Sequence, residues 1–496
     1  MKKELGITEF LLQHADSQPV SFHTPGHKGS HLYRRLGYGE FLDKIMDCDL
    51  TEISGSDNLF QSEGIIKAVQ DKYSDLYGVS HSYLLINGSS GGIIASILAT
   101  VPAGGQLIMA RNSHKSVFNA LALAGIQPVY AYPELIEEYG ISGEVNCSEI
   151  ERCLTENPRA SAVIVTSPNY YGVCSDIVAI AETVHKHGKV LIVDQAHGAH
   201  LKFFEKNMPK AAEEAGPDIV INSIHKTLAS FTQSAVLNLN SERVDRYVLE
   251  DKLQCIQTTS PSYLLMASLD INASILENHG QILMAEWAEN LDYFYRGALE
   301  IFAQSQSMQP PQPGLKLLTG LRDFDRSKIT IDSGGLKISA AQLEAELIID
   351  GIIPEFTTGN ILMLMTGIGN RKEDYEKLLS TLKKINHRDR PRGCFCPQGD
   401  TPLSMVPPLR GQVQLFDIPE SRMRVPLEEA EGLVCASPIS PYPPGIPIIC
   451  PGEKVNADII AYIKKLRDAG KDVIGVNEKG EITVGEPYHH AIGEQE

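Results

Sequence analysis

Asp218-Ile219-Val220-Ile221-Asn222-Ser223-Ile224-His225-Lys226-Thr227 is a short apolar run that ends in a polar turn bearing a lysine. An unbroken apolar run of this length, bounded by polar residues, reads as a strand of a buried sheet. The same rhythm fills residues 80–240. Apolar runs at 83–86, 106–110, 129–132, 162–166, 190–193, 219–221 and 235–239 alternate with helical patterns such as 92–100, 116–124 and 177–186, the last closed by Gly188 in the usual C-terminal place. Strands and helices in alternation build a large α/β domain on a mainly parallel sheet with crossover helices. Ligands of such a sheet gather at the carboxyl ends of its strands, so the residues just after each apolar run are where chemistry is expected.

Downstream, a helical stretch over 264–303 is followed by a break at Pro310, Pro311 and Pro313. A smaller α/β unit comes next, with a strand at 329–331, a helix at 340–349, a strand at 361–365 and a helix around 375–385. From about Pro391 the chain is rich in proline, as in Tyr442-Pro443-Pro444-Gly445-Ile446-Pro447, but apolar residues stay frequent, so a compact C-terminal α+β domain is expected rather than a disordered tail. The expected organisation is an N-terminal arm over 1–60, a large domain over 61–315, a small α/β domain over 316–390 and the C-terminal domain over 391–496.

The 496 residues carry 62 acidic and 44 basic side chains, a formal charge of -18 that argues against nucleic acid as a main partner. It is compatible with a cationic small molecule, although most of those carboxylates are a solvated surface. Nine cysteines, odd in number and without a Cys-x-x-Cys pair, make neither a disulfide framework nor a zinc ribbon. The closest pair, Cys394 and Cys396, has no second pair and only His387 nearby, so no metal site is expected. Met1-Lys2-Lys3 leads into Glu4, Thr8, Glu9 and Gln13 rather than an apolar signal core, and no stretch approaches the roughly 18 to 20 apolar residues of a membrane helix. A cytoplasmic protein without membrane contact is expected.

Four strand ends carry the chemistry. Lys226 follows one, where a semi-buried amine can form a Schiff base with an aldehyde cofactor. Asp194 ends the run Lys189-Val190-Leu191-Ile192-Val193, where a carboxylate can keep a pyridinium nitrogen protonated. Asn87-Gly88-Ser89-Ser90-Gly91-Gly92 lies between a strand and an apolar helix, so its hydroxyls and free amides can cradle a phosphate; its spacing fits neither a P-loop nor a dinucleotide fingerprint. His114, in Arg111-Asn112-Ser113-His114-Lys115-Ser116, is placed to lie flat on a planar cofactor. Each feature alone has an ordinary structural explanation, but their convergence on one cofactor does not.

Ser223-Ile224-His225-Lys226, Asp194-Gln195-Ala196-His197 and Asn112-Ser113-His114-Lys115-Ser116 resemble the ornithine/lysine/arginine decarboxylase family. The likeness extends to Thr24-Pro25-Gly26-His27-Lys28-Gly29, Thr258-Thr259-Ser260-Pro261, Tyr442-Pro443-Pro444-Gly445 and Pro451-Gly452-Glu453, and the length resembles the short bacterial form. The resemblance implies the aminotransferase-like fold type I of pyridoxal 5'-phosphate enzymes and a homodimer or higher homo-oligomer with shared active sites. It implies Lys226 as the cofactor-bearing lysine, Asp194 beside the ring nitrogen, His114 stacked on the ring, and Ser89, Ser90, Ser223 and His225 around the phosphate, with Gly91 in the same cradle. Thr258 would reach the phosphate from the neighbouring subunit, and Glu355 would hold the distal cation of the substrate. His197 joins Lys226 as a candidate proton donor to the α-carbon. Two departures stand out. Gln195 follows Asp194 where Glu is common, and Asp57-Asn58-Leu59 replaces a usual Asp-Asp pair, which removes one negative charge near the expected substrate entrance.

The function so implied is decarboxylation of a basic L-amino acid, arginine to agmatine first, then lysine to cadaverine or ornithine to putrescine. Two other readings use the same residues. One is an aminotransferase or carbon-carbon lyase on this scaffold; the other is a non-catalytic regulator that binds the cofactor or a polyamine.

Overall fold

The computed structural model describes residues 6–306, 314–388, 421–441, 446–468 and 472–485. The chain opens with helix α1 (Ile7–Ser17) and a two-residue strand β1 (Val20–Ser21); helix α2 (Ile65–Tyr77) then leads into the central sheet. Its elements in chain order are β2 (His81–Leu85), α3 (Gly88–Thr100), β3 (Gln106–Ala110), α4 (Lys115–Ala124), β4 (Gln127–Ala131), α5 (Cys147–Glu156), β5 (Ala160–Thr166), α6 (Ile177–Lys186), β6 (Val190–Asp194), β7 (Ile219–Asn222) and β8 (Ala235–Leu239). The strands lie in the order β2-β8-β7-β6-β5-β3-β4, and only β8 runs against its neighbours. The mainly parallel sheet expected from the apolar runs is therefore present, with buried apolar clusters on both faces.

At two strand ends that fall short of the sequence pattern, side chains have captured backbone groups. The strand expected at 83–86 ends at Leu85 because the Ile86 N–H donates to Gln257 Oε1 and its carbonyl accepts from Gln233 Nε2, each at 2.8 Å. The strand expected at 129–132 ends at Ala131, since Glu149 Oε1 accepts the Tyr132 N–H at 3.1 Å. Helix α3 starts at Gly88 rather than 92, so the glycine-serine turn is the first turn of the helix despite its low helix propensity.

Helix α7 (Tyr263–Gln306) carries the chain to a second, antiparallel sheet. Lys316–Leu317, β9 (Lys328–Asp332), β12 (Ile361–Met365) and β11 (Phe356–Thr358) form it in that spatial order, with α8 (Ala340–Ile349) and β10 (Ile352–Ile353) between β9 and β11 in sequence and α9 (Lys372–Arg388) after β12. β1 pairs in parallel with β10, Val20 opposite Ile352, which ties the N-terminal segment to this unit. A third cluster holds β13 (Arg422–Pro426), α10 (Ala457–Asp468) and β14 (Glu481–Gly485) around Ile448, Ile459 and Ile463. Cys394, Cys396 and Tyr442-Pro443-Pro444-Gly445 lie outside the described residues. Among the described residues no helix is long and apolar enough to cross a membrane.

Candidate active site

The carboxyl ends of β3, β5, β6 and β7 and the first turn of α3 enclose a cavity of about 290 Å³. Register sets its floor: Thr166 lies opposite Asp194, and Asp194 opposite Ile221, so the ends of β5, β6 and β7 stop side by side. β7 runs through Ser223 into the short helix Ile224–Thr227, which swings Lys226 back over the sheet edge. The Lys226 Nζ is 2.9 Å from His197 Nε2 and 5.8 Å from the centre of the Tyr170 ring. Tyr170 and His197 are themselves 4.4 Å apart, which walls the amine on one side.

Burial pulls the Lys226 ammonium down to about 8, and Asp194 and then Glu355 act against that shift. Burial raises the Asp194 carboxyl, while the Lys226 charge and the Ala196 N–H, which donates to Oδ1 at 3.1 Å, oppose the rise. A carboxylate so enclosed has little else to neutralise it, and a cationic ring nitrogen would.

Two of the cavity histidines have ring nitrogens fixed by the backbone. His114 caps α4: its Nδ1 accepts from the Ser116 backbone N–H at 3.3 Å, so the hydrogen sits on Nε2. Burial, then the Lys226 charge, brings His114 down to about 4. His225 Nδ1 donates to the Ser234 carbonyl at 2.8 Å, so Nε2 carries its lone pair, and burial holds the ring at about 4. It donates to a phosphate only after taking a second proton, which a neighbouring dianion favours. Burial and the Lys226 charge push His197 well below the ordinary histidine range.

On the opposite side, Ser223 Oγ donates to Ser89 Oγ at 2.8 Å, and the free N–H groups at the start of α3 share that wall with Ser90. Three buried atoms of wall residues have no protein partner: Asn112 Oδ1, Thr166 Oγ1 and His197 Nδ1. A cavity with an amine, a buried carboxylate, hydroxyls at a helix N-terminus and unsatisfied polar atoms fits a flat, polar, anionic aldehyde such as pyridoxal phosphate.

The cavity thus gathers Ser89, Ser90, His114, Asp194, His197, Ser223, His225 and Lys226. Gly91 is buried inside α3, off the wall. Thr258 is exposed and also off the wall. Glu355, just past β10, accepts the Thr24 N–H at 2.8 Å and lies close enough to influence Lys226 without lining the cavity. Sequence reading missed Asn112, Thr166, Tyr170, Thr232 and Gln233, all on the wall. Asn112 and Thr166 also sit at strand ends, a signal that could have found them. Gln233 has φ 84°, a left-handed backbone unusual for a non-glycine residue, which no sequence pattern announces.

The model of the Orn/Lys/Arg decarboxylase major domain matches residues 6–317, and that of the C-terminal domain of the same family matches 418–481. A Bacillus subtilis (strain 168) protein named arginine decarboxylase is 32% identical over 481 residues, 94% of either chain. Another of that name from Bacillus anthracis is 29% identical over 480 residues, covering 94% of this chain and 93% of its own. Among solved structures, lysine decarboxylase A from Pseudomonas aeruginosa matches with a TM-score of 0.76 at 20% identity, over 96% of this chain and 80% of that one. The fold is the fold type I of pyridoxal-phosphate enzymes, and the chain belongs to the Orn/Lys/Arg decarboxylase family.

Proposed function

We propose that this chain decarboxylates a basic L-amino acid with pyridoxal 5'-phosphate, taking arginine to agmatine ahead of lysine to cadaverine or ornithine to putrescine, as a homodimer in the cytoplasm. The observation that carries the proposal is the contact of Lys226 Nζ with His197 in a cavity that also buries Asp194. The names of the Bacillus relatives favour arginine.

When bound, pyridoxal phosphate supplies an electron sink for the pair left as the carboxylate departs. Lys226 would hold its aldehyde carbon; with the ammonium lowered to about 8, a useful fraction of the amine is neutral near pH 7. Asp194 would face the ring nitrogen and keep it protonated. His114, oriented by its own cap on α4, would cover the ring, while Ser89, Ser90, Ser223 and His225 would hold the phosphate, joined by Thr258 from the partner subunit. Lys226 and His197, in contact, can pass a proton between Nζ and Nε2, so either can deliver it to the α-carbon. Tyr170, with its ring against both, would shield that exchange from water. Glu355 would select the cationic end of the substrate.

Incubation of the purified protein and pyridoxal phosphate with arginine, lysine or ornithine separately, following carbon dioxide and the amine, tests this. Arginine should give agmatine, and Lys226→Ala should lower the rate by about a thousandfold or more. A keto-acid requirement would move the reading to an aminotransferase, and bound cofactor without turnover on any amino acid would move it to a regulator.

A further inference from the structure

Among the residues held in the described C-terminal cluster, none lines the cavity, yet that cluster reaches the site through one buried side chain. Arg111 follows β3, one residue before Asn112 and three before His114. Its side chain is turned away from the cavity and is 3% exposed. Nη1 donates to the Pro447 carbonyl and Nη2 to the Ile448 carbonyl, both at 2.7 Å. The guanidinium lies 5.0 Å from the centre of the Tyr130 ring and 5.5 Å from that of Phe118.

Glu453, from Pro451-Gly452-Glu453, is 1% exposed. It accepts the Cys450 N–H at 2.7 Å and the Tyr130 hydroxyl. Tyr130, in β4, therefore stands between the two charges, its ring against Arg111 and its hydroxyl on Glu453. A cation and an anion are expensive to bury where apolar side chains would pack as well, and what such a pair supplies is a single orientation. Two successive carbonyls accepting from one planar guanidinium fix that orientation further.

The segment between is held at both ends. Arg111 N–H donates to Ala131 O at 2.8 Å, Asn112 Nδ2 donates to Ser142 Oγ at 2.9 Å, and His114 caps α4. We propose that Arg111, Tyr130 and Glu453 form a latch through which the C-terminal unit sets the position of residues 112–114 in the active site, so that Arg111 is a positioning residue for His114. The proposal rests on the decarboxylase reading above only for its kinetic readout. It gives Pro451-Gly452-Glu453 a role, and makes turnover depend on a unit whose described residues contribute nothing to the cavity wall of their own chain.

The test uses the full-length holoenzyme and the variants Arg111→Lys and Glu453→Gln. Lysine keeps the charge but cannot engage two carbonyls in a plane. Glutamine keeps both hydrogen bonds if the Tyr130 hydroxyl turns to accept, and so removes only the counter-charge. Visible circular dichroism of bound pyridoxal phosphate without substrate, thermal unfolding, kcat and KM are measured for each. Arg111→Lys should remain folded, change the cofactor's dichroism, and lower kcat about tenfold with KM within about twofold, as expected of a small misplacement. In the double variant with His114→Ala, the Arg111→Lys change should cause no further loss. Parental dichroism and kcat in both folded variants, or losses from Arg111→Lys and His114→Ala that multiply, overturn the latch. If Arg111→Lys does not fold, Tyr130→Phe, which removes one hydroxyl, takes its place with the same criteria. A parent chain that turns over no amino acid overturns the decarboxylase reading instead, and the dichroism still decides the latch.

Discussion

Lys226 carries the sharpest residue-scale prediction. Its ammonium is lowered to about 8 by burial, so in the cofactor-free chain the neutral amine becomes available through that pH. The rate at which it captures pyridoxal phosphate should rise with pH up to about 8 and then level off, rather than climb on toward the ordinary lysine value of about 10.4. The Asp194 carboxylate favours the charged lysine, so Asp194→Asn should move the midpoint to lower pH. Stopped-flow absorbance with the apo-protein across pH 6 to 10, roughly the span over which lysine titrates when perturbed, measures both. A capture rate still rising at the top of that range would mean that Lys226 is not held in the low-dielectric setting its surroundings imply. Asp194, His114 and Lys226 were legible because Asp194 directly follows an apolar run and the other two lie in the short polar turns that follow theirs. Gln195 was legible only as a departure. Its Nε2 donates to Glu213 Oε2 at 2.8 Å and to Asn222 Oδ1 at 3.0 Å, and its Oε1 accepts the Ala212 N–H at 2.7 Å. Glu213 is itself buried, so a glutamate at 195 would set two carboxylates together, and glutamine avoids this. That partner lies in a single turn of 3-10 helix over Ala212–Glu214, too short to show a periodicity. Asp57 is similar: burial raises its carboxyl, but the N–H groups of Glu63, Asn58, Gly64 and Ile66 hold it below the ordinary range, so it anchors the start of α2.

At the scale of elements, the segment around Lys226 is stitched from three distant parts of the chain. Gly26 N–H donates to His225 O at 2.7 Å, Ile368 N–H to Thr227 O at 2.9 Å, and Gly369 N–H to Gly26 O at 3.0 Å. A Cβ at Gly26 would lie 2.3 Å from the Thr227 carbonyl carbon and 2.6 Å from Leu228 O, backbone atoms that cannot step aside singly. Gly26→Ala should therefore cost about 3 kcal/mol of stability and displace Lys226. Thermal unfolding together with cofactor retention checks this; unchanged values for both would show that the three segments give way easily. The central strands were readable because burial on both faces leaves only apolar residues. The Val20 to Ile352 pairing was not, because two residues make no pattern and their partners lie more than 300 positions away. Thr24-Pro25-Gly26-His27-Lys28-Gly29 was conspicuous as a motif, but only the backbone contacts explain why it has glycine at 26.

For the whole molecule, the proposed homodimer makes a prediction about the partner subunit. Thr258 is exposed and off its own chain's cavity wall, although Ile256, two residues earlier, accepts from the wall residue Asn87 at 3.1 Å. The apolar residues Ile7, Phe10, Leu11 and Leu12 of α1, Met46 and Ile53 before α2, and Ile65 at its start are exposed too, the kind of surface that a second copy covers. A single sequence gives no pattern for contacts between chains, and the resemblance alone carried that expectation. Complementation tests it. Lys226→Ala lacks the lysine, and Thr258→Trp should block the neighbour's phosphate site; as separate homodimers both should be inactive. Mixed subunits reassemble so that half of the dimers are hybrids, each with one site free of both substitutions and the other carrying both. Mixing equal amounts after reversible dissociation should then restore about a quarter of the parental activity, by the statistics of a two-fold assembly. No recovery, in a mixture whose hybrids are demonstrated by differential tagging, would mean that each chain completes its own site and that Thr258 acts elsewhere.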